Sequence, residues 1–282
     1  MEFVAKVNNQ IEEIVKGSPS ILSASYQKTQ NKNRTNQAFI SIIIPAYQEE
    51  KILGEMLELI SPIVKNKRNY EIIISDGNSD DSTIDIARKY TDKIVIHQNN
   101  YRQTISEGRN NGAKVARGDV FVFINADTFP EDPVSFFEYI ENWANGNEES
   151  SDAAALACYV TYLPNESIFK DRVFYFLHNN YVAFLNLVNL GMGRGECQIV
   201  RRWAFEAVNG YNQNIMAGED FDLYRRISKR GKVRFIRSLR VCESPRRFRK
   251  YGYLRIVWQW SLNSLSVWFF GKSVSKEWEA VR

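Results

Sequence analysis

The chain has 282 residues, is 44% hydrophobic and 25% charged, and carries a formal net charge of +4. That apolar share is enough for one large core and excludes a body that stays disordered. Three widely spaced cysteines, Cys158, Cys197 and Cys242, give neither a disulfide framework nor a zinc spacing, so a reducing, cytoplasmic setting is the simplest expectation.

Phe3, Val4, Val7, Ile11, Ile14 and Val15 recur at helical spacing, which predicts an amphipathic helix over residues 2–16. This stretch lacks a basic region followed by an apolar core, so it does not read as a secretory signal. Polar Ser/Asn/Gln-rich sequence follows to residue 38 and reads as a linker. The body begins at Phe39. Residues 40–44 form a buried strand ended by Pro45, and Ile52, Leu53, Met56, Leu57 and Ile60 then mark one face of a helix. Residues 72–74 are a second strand. Ser79, Asp80 and Ser82 are cap residues for a short helix with Ile84, Ile86 and Ala87. Residues 94–96 are a third strand, 104–116 a helix, and 120–124 a fourth strand. Strands alternating with helices predict an α/β fold with a central, mostly parallel sheet flanked by helices.

Beyond Asp127 the pattern changes. Residues 132–144 read as a helix, 154–162 as a strand and 167–190 as a long aromatic helix. Gly191 to Gly195 read as a flexible loop, followed by a strand at 197–200, helices at 202–208 and 220–230, and a strand at 233–236. Residues 225–250 hold twelve Lys or Arg against one acid, Glu243. Such a block suits phosphates, anionic lipid or nucleic acid, or a plain solvated face. No base-reading module accompanies it, so nucleic acid is not an expected partner. In the tail, Leu254, Val257, Trp258, Leu262, Leu265 and Phe269 fall on one helical face, with Arg255, Gln259, Asn263 and Ser266 opposite. That period fits a helix lying in a membrane interface and equally a helix packed on the body. No stretch is long and apolar enough to span a bilayer.

Three segments run from an apolar stretch into a polar turn: SIIIPAYQEE (41–50), IIISDGNSDDST (72–83) and VFVFINADT (120–128). A fourth, AGEDFDLYRR (217–226), brings Glu219 and Asp220 together. Polar groups placed just after buried strands collect at the ligand-binding edge of an open α/β sheet. Each has a bland alternative. Asp76 suits a turn residue satisfying backbone amides. Glu219 and Asp220 suit the positive end of a helix. Asp222 suits an ion pair with Arg225 or Arg226.

In this order, SIIIPAYQEE, SDGNSDDST, GRNNGAKVARGDVFVFINADT and GEDFDLYRRISKRG resemble a family 2 glycosyltransferase with the GT-A fold, over about residues 40–250. The resemblance implies a nucleotide-binding half at 39–127 and an acceptor half at 128–250. Pro45, Ala46 and Tyr47 would line the base pocket, and Glu49 and Asp76 would hold base and ribose. Arg109 and Asn110 would contact the donor, and Asp127, after Ala126, would bind a divalent metal, Mg²⁺ or Mn²⁺. The first acid of the family's Asp-x-Asp motif is Asn125 here, which can hydrogen-bond ribose but supplies no second carboxylate. Asp220 would be the general base and Glu219 would orient the acceptor. Arg246 and Arg247 suit a donor diphosphate or a lipid phosphate.

The expected activity is inverting transfer of a sugar from a nucleoside diphosphate sugar to a hydroxyl or lipid-phosphate acceptor. The acceptor would be a glycan or a lipid-linked molecule, met at the cytoplasmic face of the membrane. The rivals are a nucleotidyltransferase, which would need a basic glycine-rich loop where PAYQEE stands, and a non-catalytic nucleotide-sugar-binding protein.

Overall fold

The computed structural model describes residues 37–163 and 168–275; the expected helix over 2–16 and nearly all of the linker lie outside them. One eight-stranded sheet, in the order β3-β2-β1-β4-β7-β6-β8-β5, organises the molecule. Its first half is parallel: β1 (Ile40–Ala46) lies between β2 (Tyr70–Asp76) and β4 (Val120–Ile124), with β3 (Ile94–Ile96) outside β2. The second half is mixed. β7 (Cys197–Arg201) runs antiparallel to both β4 and β6 (Ala153–Tyr162), while β8 (Lys232–Glu243) is parallel to β6 and antiparallel to β5 (Phe129–Pro130).

Alternation along the buried strands divides the core between the two faces. Ile40, Ile42 and Ile44 pack on one side with α1 (Leu53–Lys65) and α4 (Pro133–Ala144). Ile43, Phe121 and Phe123 pack on the other, under α6 (Arg202–Glu206) and α7 (Glu219–Ser228). α2 (Thr83–Arg88) and α3 (Ile105–Val115) complete the first half. Thr104 closes a capping box with Glu107 at the start of α3.

Several boundaries differ from the sequence reading. Pro45 does not end β1, which continues to Ala46 in register with Asp76. α2 follows Ser82, but no side-chain hydrogen bond caps it; Asp80 Oδ1 instead accepts from Gln48 Nε2 at 2.6 Å. β8 is twelve residues long, not four, because its pairing with β6 jumps from Cys158↔Ile236 to Tyr159↔Arg240. That irregularity breaks the two-residue period by which a strand is recognised. A short basic helix, α8 (Arg246–Tyr251), is anchored by buried Phe248 and had no apolar period to announce it.

The tail forms α9 (Tyr253–Phe270) and packs on the body through Ile256, Asn263 and Val267. Asn263 belongs to the face read from the sequence as opposite the apolar one. It is buried because its Oδ1 accepts from Val274 N (2.9 Å) and Ser275 N (3.0 Å), holding the chain reversal after the helix. The apolar face marked by Leu254, Trp258, Leu265 and Phe269 points outward, away from the body. The long aromatic helix is α5 (Phe169–Leu187), lying beside α9. Among the described residues, no helix is long and apolar enough to cross a membrane.

The basic block is not one face. Arg226 pairs with Asp222, Lys232 and Arg234 with Asp152, Arg240 with Glu131, and Arg249 with Asp171. The free-standing +11 of the sequence is thereby divided among several acids from the rest of the chain.

Candidate active site

The carboxyl ends of β2, β1 and β4 form one wall, and Asp76, Ala46 and Asn125 leave the sheet there side by side. Two turns are stitched across it. Ser79 donates to Asp76 through its N (2.8 Å) and its Oγ (2.6 Å), and Gln48 N donates to Ser79 Oγ at 2.8 Å. Asp76 is therefore fully buried rather than exposed in the cleft, and the turn itself satisfies its carboxylate. Gln48 and Asn78 both adopt left-handed backbone, φ 54° and 70°, a strained geometry that this network holds in place. Tyr47 lies over Gly77, with the Arg102 guanidinium 5.3 Å from its ring centre, and the backbone N of Glu49 donates to Thr83 Oγ1 at 2.8 Å.

Arg109 ties the second wall together. It leaves the middle of α3 fully buried and donates to Glu219 Oε1 (2.9 Å), Asn125 Oδ1 (3.0 Å) and Gly195 O (2.5 Å). One guanidinium thus joins α3, the end of β4, the loop before β7 and the start of α7. Its two terminal nitrogens are spent on protein while Nε is buried without a partner among the described residues, and with the whole side chain buried it shapes the cleft from behind. Asn110 is committed as well: its side chain donates to Tyr211 O (2.9 Å) and accepts from Tyr211 N (3.0 Å). It lines a cavity of about 870 Å³ with Phe205, Tyr211 and Arg226, to which Asp76, Asp127 and Asp220 do not contribute.

Asp220 is presented by a sharp entry into α7. Gly218, at φ 88°, turns the chain, and Phe221 N donates to Asp220 Oδ1 at 2.8 Å. A Cβ added to Gly195 would lie 3.6 Å from Asp220 Oδ2, ordinary van der Waals contact, so this carboxylate lies beside the loop. Burial raises its pKa to about 7, with the Glu219 charge adding to the shift and Glu196 following. That value suits a group that takes up a proton near neutrality.

Asp127 reaches solvent beyond this cluster. Crowding by the cleft walls pushes its pKa up and Glu196 adds to that, against the pull of Arg246 and Arg247 from α8. Arg246 donates through Nε to Ser244 Oγ at 2.9 Å. Burial draws the Arg247 pKa down, and its acidic neighbours include Glu243, Asp127 and Glu196. Arg109 thus brings the turn of Asn125 and Asp127 against the start of α7 with Glu219 and Asp220, and Arg246 and Arg247 lie within electrostatic reach of Asp127.

A second buried cluster behind Asp127 was missed by the sequence reading. Arg194 donates to Glu196 Oε1 and Glu243 Oε1, each at 2.9 Å, and Tyr175 OH donates to Glu243 at 2.9 Å. Burial and the Glu196 charge hold the Glu243 pKa well above the ordinary range, while Glu196 is lowered, against its own burial, chiefly by Arg194. Glu196 Oε2 is buried there without a hydrogen-bond partner among the described residues. The available signal was Glu243 itself, the lone acid in a basic block. The loop from Gly191 to Gly195 is not loose either. Cβ atoms on Gly191 and Gly193 would lie 2.4 Å and 2.5 Å from Tyr224, and the Asn186 side chain holds both N and O of Met192 at 2.8 Å.

Among the described residues, no three His, Cys, Asp or Glu side chains are grouped to hold a metal ion. The donor set at Asp127 is one solvent-reaching carboxylate with an acid pair behind it and two arginines beside it. That fits a hard cation whose remaining ligands are phosphate oxygens and water.

A family model described as Glycosyl transferase family 2 matches residues 41–207. A Methanococcus voltae dolichyl N-acetyl-alpha-D-glucosaminyl phosphate 3-beta-D-2,3-diacetamido-2,3-dideoxy-beta-D-glucuronosyltransferase is 40% identical over 98 residues, 33% of this chain and 30% of the relative. An Escherichia coli UDP-Glc:alpha-D-GlcNAc-diphosphoundecaprenol beta-1,3-glucosyltransferase is 35% identical over 91 residues, 32% of this chain and 36% of the relative. The chain therefore matches only about a third of the length of these relatives. A Pyrobaculum calidifontis mannosyltransferase in complex with GDP-Man and Mn²⁺ superposes with a TM-score of 0.59 at 16% identity, covering 93% of this chain and 73% of that one. Mycobacterium tuberculosis glucosyl-3-phosphoglycerate synthase, with Mn²⁺, UDP and phosphoglyceric acid, gives 0.57 at 16% identity, covering 89% and 82%. The architecture is the GT-A fold expected from the sequence. Because the family model spans more than half of the residues, the chain belongs to glycosyltransferase family 2.

Proposed function

We propose that the protein is an inverting glycosyltransferase that moves a sugar from a nucleoside diphosphate sugar to a hydroxyl or lipid-phosphate acceptor, with Asp220 as general base. The observation that carries this reading is the Arg109 guanidinium, which donates to both Asn125 and Glu219 and so draws the turn that carries Asp127 toward the start of the helix that carries Asp220. Pro45, Ala46 and Tyr47 line the base end, with Glu49 and Asp76 shaping it. Asn125 gives its carbonyl oxygen to Arg109, which leaves its amide N–H groups for a ribose hydroxyl.

Arg246 and Arg247 hold the diphosphate from the α8 side, where bidentate guanidinium–phosphate pairs are strong. Asp127 would hold a Mg²⁺ or Mn²⁺ ion, which when bound supplies positive charge to the leaving diphosphate. Asp220 takes the proton from an acceptor hydroxyl as that oxygen attacks the anomeric carbon opposite the leaving group, which inverts the centre. Glu219, gripped by Arg109, fixes the start of α7 and orients the acceptor. Relatives that act on dolichyl- and undecaprenyl-linked sugars support a lipid-linked acceptor met at the cytoplasmic membrane face.

The test is a panel of UDP-, GDP- and dTDP-sugars with Mn²⁺ and polyprenyl-linked acceptors, scored for nucleotide release. Asp220→Asn is expected to abolish transfer while nucleoside diphosphate affinity stays within about twofold. Transfer that survives in this variant removes Asp220 from the mechanism.

A further inference from the structure

The exposed apolar surface is gathered on two neighbouring helices. Apart from Tyr101, Val115 and Trp203, every exposed large hydrophobic side chain among the described residues lies within 168–190 or 254–274. α5 and α9 meet along an aromatic seam, with the Trp260 ring 5.2 Å from His178 and Tyr253 5.3 Å from Phe174. Away from the core, α5 repeats Val173, Leu177, Tyr181 and Phe184 at helical spacing, and α9 repeats Leu254, Trp258, Leu265 and Phe269. Leu254 is 88% exposed, Phe269 72% and Leu177 61%. A continuous apolar face of this kind is a docking surface or a liability, not the scatter normal to soluble proteins.

Charge selects the occupant. From 168 to 190 the one acid is Asp171, which is buried and bonded to Arg249 and Tyr253. From 244 to 275 there is no acid at all. Lys170, Arg172, Arg255 and Lys272 are all exposed around the face. A symmetric second copy would bring these cations together, which disfavours self-association. A surface of anionic headgroups over acyl chains satisfies both features: cations at the rim and Trp, Tyr and Phe rings at the boundary.

We propose that the outward faces of α5 and α9 dock on an anionic lipid bilayer, both helices lying in the plane of the interface. α9 also leans on the helix that carries Asp220: Val267 is buried against Phe221, the partly exposed Trp268 stacks on Phe221 at 6.2 Å, and Arg225 lies 4.2 Å from the Trp268 ring centre. The docked face and the cleft are thus built on one packed unit.

Flotation of the full chain with phosphatidylcholine vesicles, with and without phosphatidylglycerol, tests this without reference to any sugar chemistry. Binding is expected to be at least about tenfold stronger with phosphatidylglycerol and to weaken as salt rises. Leu177→Glu with Trp258→Glu is expected to lose about tenfold or more while the melting temperature is kept. Should that variant fail to fold, Lys170→Glu with Arg255→Glu, both at exposed positions, is expected to lose the phosphatidylglycerol preference. The proposal is overturned if the wild type does not float, if these variants float equally well, or if the chain is a dimer that Trp258→Glu dissociates. It also fails if vesicle binding appears only after residues 1–36 are removed, since the chain's own N-terminal segment then covers the face.

Discussion

Asp220 holds its proton more tightly in the folded protein than the ordinary carboxylate value of 3.8 allows, up to about pH 7. The folded state therefore carries one proton more than the unfolded chain between those values, and stability falls as pH rises through that window. Asp220→Asn removes this penalty. At pH 8 the variant is expected to be more stable by about 1–3 kcal/mol in urea denaturation, less than the full linkage value because the side chain is partly open to solvent. At pH 3 the two proteins should match. A wild type that outlasts the variant at pH 8 contradicts the assignment. The same titration predicts that kcat/KM rises about tenfold per pH unit below 7 and levels off above it. Arg109→Lys tests the joint behind the acid. One ammonium cannot serve Glu219, Asn125 and the Gly195 carbonyl together, and leaving buried partners unpaired is expected to cost about 2–4 kcal/mol by chemical denaturation. Glu219 and Asp220 were legible as a pair because they adjoin in sequence. The commitment of Arg109 to Glu219 was not, since 110 residues separate them and only the closed sheet brings them together.

The loop between α5 and β7 shows how an element that looks slack can be rigid. Gly193→Ala puts a methyl group about 2.5 Å from the Tyr224 ring, itself fixed by hydrogen bonds to Leu156 O and Ile199 N. The expected cost is about 2–3 kcal/mol, read as a lower melting temperature. Gly146→Ala is the control: φ is 86° but nothing lies within 4 Å of the added carbon, so only backbone strain of about 1 kcal/mol is expected. Asp171→Ala should be as severe as the clash, about 2–3 kcal/mol, because it strips buried partners from Arg249 and Tyr253 and loosens α5 from the α8–α9 turn. At this scale the sequence was readable wherever period and burial agreed, as in β1, β2, β4 and α3. It was unreadable where tertiary partners overrode period. The second half of β8 is hidden by its register jump, α8 by its run of cations, and the packed side of α9 by Asn263, a polar residue buried to hold a chain reversal.

At the level of the whole molecule, a cleft built from both halves predicts linked behaviour. Nucleoside diphosphate with Mn²⁺ is expected to raise the melting temperature by several degrees, since a ligand at about 100 times its Kd adds about 2.7 kcal/mol. Asp127→Ala should remove the Mn²⁺-dependent part of that gain and leave the metal-free response. Equal Mn²⁺ responses in both proteins would place the ion elsewhere. The order of the four polar segments made the family legible from sequence, because each one follows or opens a strand or helix of the sheet. The buried Arg194–Glu196–Glu243 group was not legible, since it draws on a loop, a strand end and a basic run that share no local pattern.

The stacking of Trp268 on Phe221 carries a consequence for how the enzyme can be cut. A chain ending at residue 251 keeps every side chain assigned to the chemistry. It also uncovers Ile215 and Phe221, which flank the turn that aims Asp220, and water then enters beside that acid. Its proton affinity should drift back toward that of a carboxyl group in water, so the shortened enzyme is expected to lose the rise in rate near neutrality before it loses its grip on nucleotide.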